Sequence, residues 1–400
     1  MFAVLLCSTP ASAQGSANGA VYVQCPPSVD TNDDGVPDAA GPDSDGDGIP
    51  DIKCMHLAGG DGFVTMADGR PQYMFGFSDV TAVPPGQVME VGALAANFPA
   101  PTITLNEGQH FYLSLTNVGM VMRPDLSDPH SVHFHGFPNA APIFDGTPEN
   151  SLSVNMGSSL SYYYKIMEPG TYMYHCHVEA TEHMQMGMLG NLYVKPRQNT
   201  LPGGTALGSF THTTGQQYAY NDGDGSTRYD VEKAIQIGSF DPDFHDASET
   251  VQPLPFATMR DRYGMLNGRG YPDTVNPVAL STDTDRGPKA SQPVDSLVTA
   301  TAGQRVLLRI SNLNVTRFYT LASTIPMKVV GQSARLHRGP SGTDLTFTTN
   351  SVTVGGGESV DVILDTTGLS GTYLLYTTNL NYLSNDTQDF GGMMTEIRIQ

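Results

Sequence analysis

The residues with the clearest chemistry lie in Gly170–Val194, GTYMYHCHVEATEHMQMGMLGNLYV. Cys176, the only cysteine outside the N-terminal region, stands between His175 and His177, with His183 and Met188 downstream. Two imidazoles, a thiolate and a weak axial thioether form the ligand set of a blue-copper electron-transfer site. The second imidazole must come from elsewhere, and HSVHFHG, His130 to Gly136, is the source. A lone buried cysteine is common in cores and means little alone. Here six of the eleven histidines fall in these two windows, which points to copper.

Strand alternation sorts the ligands. On an extended strand His133 and His135 share a face and His130 points to the other. In His175-Cys176-His177 the two histidines share a face and the cysteine opposes them. His130 and Cys176, completed by His183 and Met188, then form a mononuclear blue site. His133, His135, His175 and His177 form a four-imidazole cluster suited to further copper. Cys176 is bonded to both neighbours and offers a short electron path between the two. Met184 and Met186 are alternatives to Met188 and are assigned to packing. His56 and His110 are read as surface or structural, and His212, His245 and His337 as isolated.

These ligands need strands to hold them. From about Gln72 the chain reads as short alternating strands between Gly, Pro and Asn turns. In GQHFYLSLTN, Phe111, Leu113 and Leu115 face inward, and GQRVLLRISN repeats the unit with Val306, Leu308 and Ile310. GTYMYHC at Gly170 returns as GTYLLYT at Gly371. Two echoes in the same order, each about two hundred residues apart, indicate a duplicated β-sandwich. In the second copy Tyr376, Thr377 and Thr378 replace His175, Cys176 and His177, so that copy lacks this copper site. A Pro- and Gly-rich linker falls near Lys195–Gly208, and Ser209–Val294 carries opening strands and surface loops.

The N-terminal stretch has its own pattern. Met1–Ala13 reads as a signal peptide, possibly truncated, ending in Ala11-Ser12-Ala13. Cys7 would leave with it, and Cys25 and Cys54 remain as a plausible disulfide in an exported protein. Between them two copies of D-x-[DN]-x-D-G-[VI]-P-D supply Asp30, Asn32, Asp34 and Asp38, then Asp43, Asp45, Asp47 and Asp51. Alternate carboxylates around a glycine turn suit calcium in a structural role. An acidic linker is the alternative. The formal charge of −20 disfavours nucleic acid and anionic membranes. No apolar run reaches the length that spans a bilayer.

At these motifs the chain resembles the multicopper oxidases of the laccase superfamily. HSVHFHG resembles their H-x-x-H-x-H-G motif, HCHVEATEHMQMGM their H-C-H-x-x-x-H-x-x-x-x-M motif, and PAPTITLNEGQHFYLSLTN the opening of a cupredoxin domain. VTVGGGESVDVILDTTGLSGTYLLY resembles a copper-free second domain, and the Asp-rich segment resembles thrombospondin type-3 calcium repeats. The resemblance implies an all-β chain of two tandem cupredoxin-like Greek-key sandwiches, at 69–197 and 205–400. The Asp-rich segment 14–68 precedes them. It implies oxidation of a small molecule or metal ion at the blue site (His130, Cys176, His183, Met188). Dioxygen would be reduced at a cluster on His133, His135, His175 and His177, in the periplasm or outside the cell.

There are two departures. Cys176 to His183 spans seven residues, two more than in most of the family. A trinuclear cluster takes four H-x-H pairs and this chain has two, which implies a homo-oligomer or a partner chain. Two other readings compete. One is a copper nitrite-reductase-like enzyme, whose spacing His130–His135 and His175-Cys176 also match. The other is a non-enzymatic periplasmic copper-binding or electron-transfer protein.

Overall fold

The structure is a computed structural model that describes residues 25–400 apart from Asn139 and Val251. The signal-peptide reading of 1–13 and Cys7 lie outside the described residues. Cys25 and Cys54 are joined as a disulfide.

The first sandwich has eight strands: β1 (Ile52–Thr65), β2 (Pro71–Asp79), β3 (Ala100–Asn106), β4 (His110–Gly119), β5 (His133–His135), β6 (Ser159–Lys165), β7 (Gly170–His175) and β8 (Leu189–Lys195). They form two four-stranded sheets, β2-β1-β4-β6 and β3-β8-β7-β5. Phe111, Leu113 and Leu115 are fully buried between the sheets with Phe75, Phe77, Tyr162 and Tyr174. The opposite face of β4 is polar and hydrogen-bonded, Thr116 meeting Ser159 at 2.6 Å and the His56 ring at 2.7 Å.

The first sheet begins at Ile52, inside the stretch the sequence reading gave to the Asp-rich segment. The glycines of β1 hide it from an alternation test. They also explain its path: a Cβ at Gly59 would come within 3.1 Å of the His130 ring, and one at Gly60 within 2.8 Å of the Gly119 carbonyl. The strand shifts register between these two glycines. Small residues here let β1 pass beneath a copper-ligand candidate.

The second sandwich repeats the plan with β9 (Val231–Phe240), β10 (Tyr263–Leu266), β11 (Val298–Ala300), β12 (Arg305–Asn312), β13 (Tyr319–Gln332), β14 (Glu358–Asp365), β15 (Gly371–Thr377) and β16 (Met394–Ile399). The parallel pair β1–β4 recurs as β9–β12, and β3–β8 as β11–β16. One difference stands out. In the second copy β13 pairs with β14, which joins both halves into one continuous path, whereas the first copy keeps two separate sheets.

The sandwiches meet through polar groups on β7, β8, β12 and β14. The Thr171 hydroxyl donates to Asp361 (2.6 Å) and accepts from Arg309 (2.9 Å), and Ser311 donates to Asn191 (2.6 Å). Arg309 and Asp361 are both buried. The short helix Pro242–Ser248 leaves the second sandwich and places Phe244 in the core of the first. Among the described residues no helix is long and apolar enough to cross a membrane.

Candidate metal centres

The seven-residue spacing from Cys176 to His183 is taken up by a left-handed Glu179 (φ 45°) and the helix Ala180–Gln185. That turn carries His183 back over β7. His183 Nδ1 lies 3.1 Å from Cys176 Sγ, and His130 Nδ1 lies 3.9 Å from the same sulfur. All three residues are fully buried, and their ligand atoms lie within 4.8 Å of one another. His130 is placed by a bridge between its own main chain and that of Val154. The Ser131 N–H donates to the sulfur at 3.4 Å.

Met188 is fully buried beside this group. Its carbonyl accepts from the Cys176 N–H (3.1 Å), and its own N–H donates to the His183 carbonyl (2.8 Å), which fixes its place in the loop. Met186 is buried with its carbonyl on the Phe75 N–H (2.9 Å), and Met184 lines a cleft between the sandwiches.

Electrostatics favour a thiolate. Burial alone would raise the Cys176 thiol, but the His183 and His130 imidazoles outweigh it and hold the group well below its usual range. The far nitrogen of His183 faces Asp128 Oδ2 at 3.8 Å, and the nearby imidazole lowers the Asp128 carboxyl. The Phe75 ring packs edge-on against His183, centroids 5.7 Å apart. Beside it, burial lifts the Glu182 carboxyl to about 7.

The second group lies on the other face of β5 and β7. His133, His135 and His175 bring one nitrogen each within 4.8 Å of the others. His177 stands outside that trio, its ring 5.0 Å from His133 and 5.4 Å from His175. Strand register sets the pairing, with His133 opposite His175 and His135 opposite Met173.

Three of these imidazoles are oriented by backbone carbonyls. The Nδ1–H of His133 donates to Asp145 O (2.6 Å), that of His135 to Gly357 O (3.2 Å) and that of His175 to Cys176 O (2.8 Å). In this tautomer each Nε2 carries a free lone pair, as a metal ligand requires. His175 Nε2 is buried without a hydrogen-bond partner, as is the Nε2 of His130 and of His183. Burial drives His175 down to about 3, so it stays neutral. The donor sets fit copper at both groups. Asp128, Asp145 and Gly357 carry no motif that the sequence could have signalled, and Gly357 comes from the second sandwich.

In the Asp-rich segment the carboxylates of Asp43, Asp45 and Asp47 lie within 4.8 Å of one another. Asp30 accepts from the N–H groups of Asp34 and Gly35, and Asp43 from those of Gly46 and Gly48, so both copies form the same turn. Asp38 and Asp51 close the loops on Thr31 and Ser44, and Asn32 bonds Asp34.

The remaining histidines sit away from both groups. His56 is buried on Thr116, His110 bonds Tyr163 (2.8 Å), and His212 bonds Tyr218 (2.9 Å). His337 packs on Phe347.

A paired-sheet sandwich with a buried His-Cys-His group at one end defines a cupredoxin-type copper domain. Residues 77–199 match the family model for multicopper oxidase. The multicopper oxidase resemblance thus covers this segment, the copper-bearing sandwich from β2 to β8. The chain is 32% identical over 121 residues to laccase Abr2 of Aspergillus fumigatus, covering 30% of this chain and 19% of that protein. The chain thus spans about a fifth of that relative's length. Among solved structures, the blue copper oxidase of Nitrosomonas europaea superposes with a TM-score of 0.63 at 19% identity, covering 87% of this chain and 86% of that one. The copper nitrite reductase of the same organism superposes at 0.54 and 17% identity, covering 87% and 94%. At these identities the superpositions show a shared two-sandwich fold.

Proposed function

We propose that this copper oxidoreductase takes electrons from a small molecule or metal ion at His130, Cys176, His183 and Met188. It passes them to a cluster held by His133, His135, His175 and His177, where dioxygen is reduced. The observation that carries the reading is covalent: Cys176 belongs to the buried thiolate group while its two peptide neighbours belong to the imidazole group. Bound copper would supply one-electron redox chemistry at the first group and acceptor binding at the second. The chain itself supplies the rest. Cys176 offers a thiolate held by two imidazoles, His175 and His177 continue the path, and carbonyls of Asp145, Cys176 and Gly357 aim the cluster nitrogens.

Half a trinuclear ligand set is present in these residues, and we infer that a second copy of the chain or a partner chain supplies the missing imidazoles. If copies associate through their first sandwiches, His135→Ala weakens association and oxygen reduction together. Sedimentation with and without copper reads the first, and a strictly monomeric protein that still consumes oxygen overturns it.

A second reading rests on the trio His133, His135 and His175, which is enough for a single copper. It is a nitrite-reductase-like enzyme with two coppers per chain. Copper content separates the cases: one per chain for an electron carrier, two for a reductase, more than two for an oxidase. Oxygen and nitrite consumption then name the acceptor.

Calcium at the Asp-rich loops, with a structural role, is supported by the convergence of Asp43, Asp45 and Asp47 and by the doubled turn. A periplasmic or secreted location is supported by the Cys25–Cys54 disulfide.

A further inference from the structure

His245 belongs to the second sandwich, on the helix Pro242–Ser248, yet its ring is fully buried against the first. Its Nδ1 lies 2.6 Å from the Tyr73 carbonyl on β2, and its Nε2 lies 3.0 Å from the Gln185 carbonyl. Both ring nitrogens therefore lie against main-chain carbonyls on two separate elements of the copper-bearing domain; burial disfavours the charged ring, whose neutral form donates its one N–H to one carbonyl and packs against the other. Gln185 is the last residue of the helix that carries His183, two positions before it.

The same residue is gripped a second time. The Gln185 side-chain amide donates to Asp261 Oδ1 at 3.2 Å, and Asp261 is itself buried and held by Ser239 at 2.6 Å. The helix bearing His245 is in turn locked in place. Asp241 caps its N-terminus, accepting from the N–H groups of Asp243 and Phe244. Arg123 of the first sandwich donates to the Ser248 carbonyl at its other end. Gln72 donates to Asp246 at 3.1 Å.

These contacts leave the ligand loop little freedom. Cys176 is fixed at the end of β7, and His183 and Met188 lie on a helix and turn whose main-chain bonds stay almost entirely within the first sandwich. The Met188 N–H reaches the His183 carbonyl, and the Phe75 N–H reaches the Met186 carbonyl. Met184 packs on second-sandwich residues such as Leu313, and the hydrogen bonds that reach this turn from the second sandwich enter through Gln185.

We propose that His245 is a positioning residue for the blue-copper ligand loop, holding His183 and Met188 in register with Cys176 from the copper-free sandwich. The role assigned to the loop rests on the copper reading above, while the clamp itself is a property of the copper-free chain. A second sandwich without copper ligands thereby has a task at the metal site of the first. Main-chain hydrogen bonds to a buried ring are part of what holds such a loop closed. Their loss loosens a local segment without unfolding the domain.

The test uses the full chain with His245→Phe, which keeps a ring and loses its N–H donor, and His245→Gln, whose amide can still donate. Hydrogen exchange is measured on the copper-free protein across residues 180–188. His245→Phe should speed exchange there on the order of tenfold, with His245→Gln restoring most of the protection. In the copper-loaded protein the Phe variant should shift the position or intensity of the blue band, and the Gln variant should stay close to the native spectrum. Native exchange rates in the Phe variant would overturn the proposal. Should that variant not fold, Gln185→Leu, which removes only the Asp261 arm, must still speed exchange in this segment, and native rates there count equally against the clamp. Faster exchange in a protein that never turns blue would leave the clamp standing and count against the copper reading instead.

Discussion

His183 presents one ring nitrogen to Cys176 and the other to Asp128: Nδ1 is 3.1 Å from the sulfur, and Nε2 is 3.8 Å from the carboxylate. An imidazole held from both sides cannot rotate to pick a different partner. A proton on Nε2 would face that carboxylate and leave the Nδ1 lone pair turned to the sulfur. An acidic residue thus stands beside the thiolate–imidazole group, on the far side of His183.

Replacing that sulfur gives the most direct test. Cys176→Ser should abolish the intense blue absorption of the oxidised protein while leaving the domain folded, since the side chain is nearly the same size. Absorption and circular dichroism together check it. A copper-loaded wild type without colour would defeat the assignment.

The two groups should separate under mutation. His175→Ala removes a ligand from the imidazole trio and leaves His130, Cys176 and His183 in place. The variant should keep its blue band and lose copper from the second group, read by metal analysis and by electron paramagnetic resonance. Loss of both signals at once would mean that the groups are not independent.

Acid should destabilise the copper-free protein in a defined window. Burial holds His56 at about 4, against a usual value of 6.5. Between those values the unfolded chain binds a proton that the native chain refuses, so stability is intact above pH 6.5 and falls as pH drops toward 4. The full loss is on the order of 3 kcal/mol, and His175, driven down to about 3, adds to the same limb. Denaturant titrations across this range should show a shallower acid limb in His56→Gln, which keeps a hydrogen-bonding group for Thr116.

The buried charges between the sandwiches should be intolerant of half-removal. Arg309 contacts Glu232, Asp361 and Thr171 with no exposure of its side chain. Arg309→Met would leave Asp361 buried without its cation, at a cost of about 3 kcal/mol or more. Thermal melts should register this as a large drop, and the double replacement with Asp361→Leu should recover part of it.

Calcium at the Asp-rich loops predicts that chelation exposes residues 25–54 to protease while the blue colour persists. Cleavage that ignores the chelator would return the segment to an acidic linker.

Much of the site was legible because strand alternation is a strict rule. Two H-x-H spacings and one intervening cysteine separated six ligands by face, and the echo of GTYMYHC in GTYLLYT revealed the duplication. Other features left no such trace. β1 is disguised by Gly59, Gly60 and Gly62, whose value lies in what they avoid touching. The carbonyls of Asp145 and Gly357 act through the main chain, which any residue type provides. His245 read as isolated because its partners, Tyr73 and Gln185, are distant in sequence and are met through their backbones. The stretch around it reads as loop, yet Phe244 and Leu254 complete the core of the other sandwich.

The pairing of β13 with β14 has a consequence for any attempt to graft a second metal centre. By register, Ala322 opposite Tyr376 occupies the place of His133 opposite His175. In the first sandwich the ligand strand is three residues long and forms the edge of its sheet. In the second the corresponding strand runs for fourteen residues and is stitched to β14 from Met327 to Gln332. Positions 322 and 376 are half-buried and 378 is exposed, on strands paired along their length rather than at a free edge. Recovering copper there would mean shortening a strand before changing a single ligand.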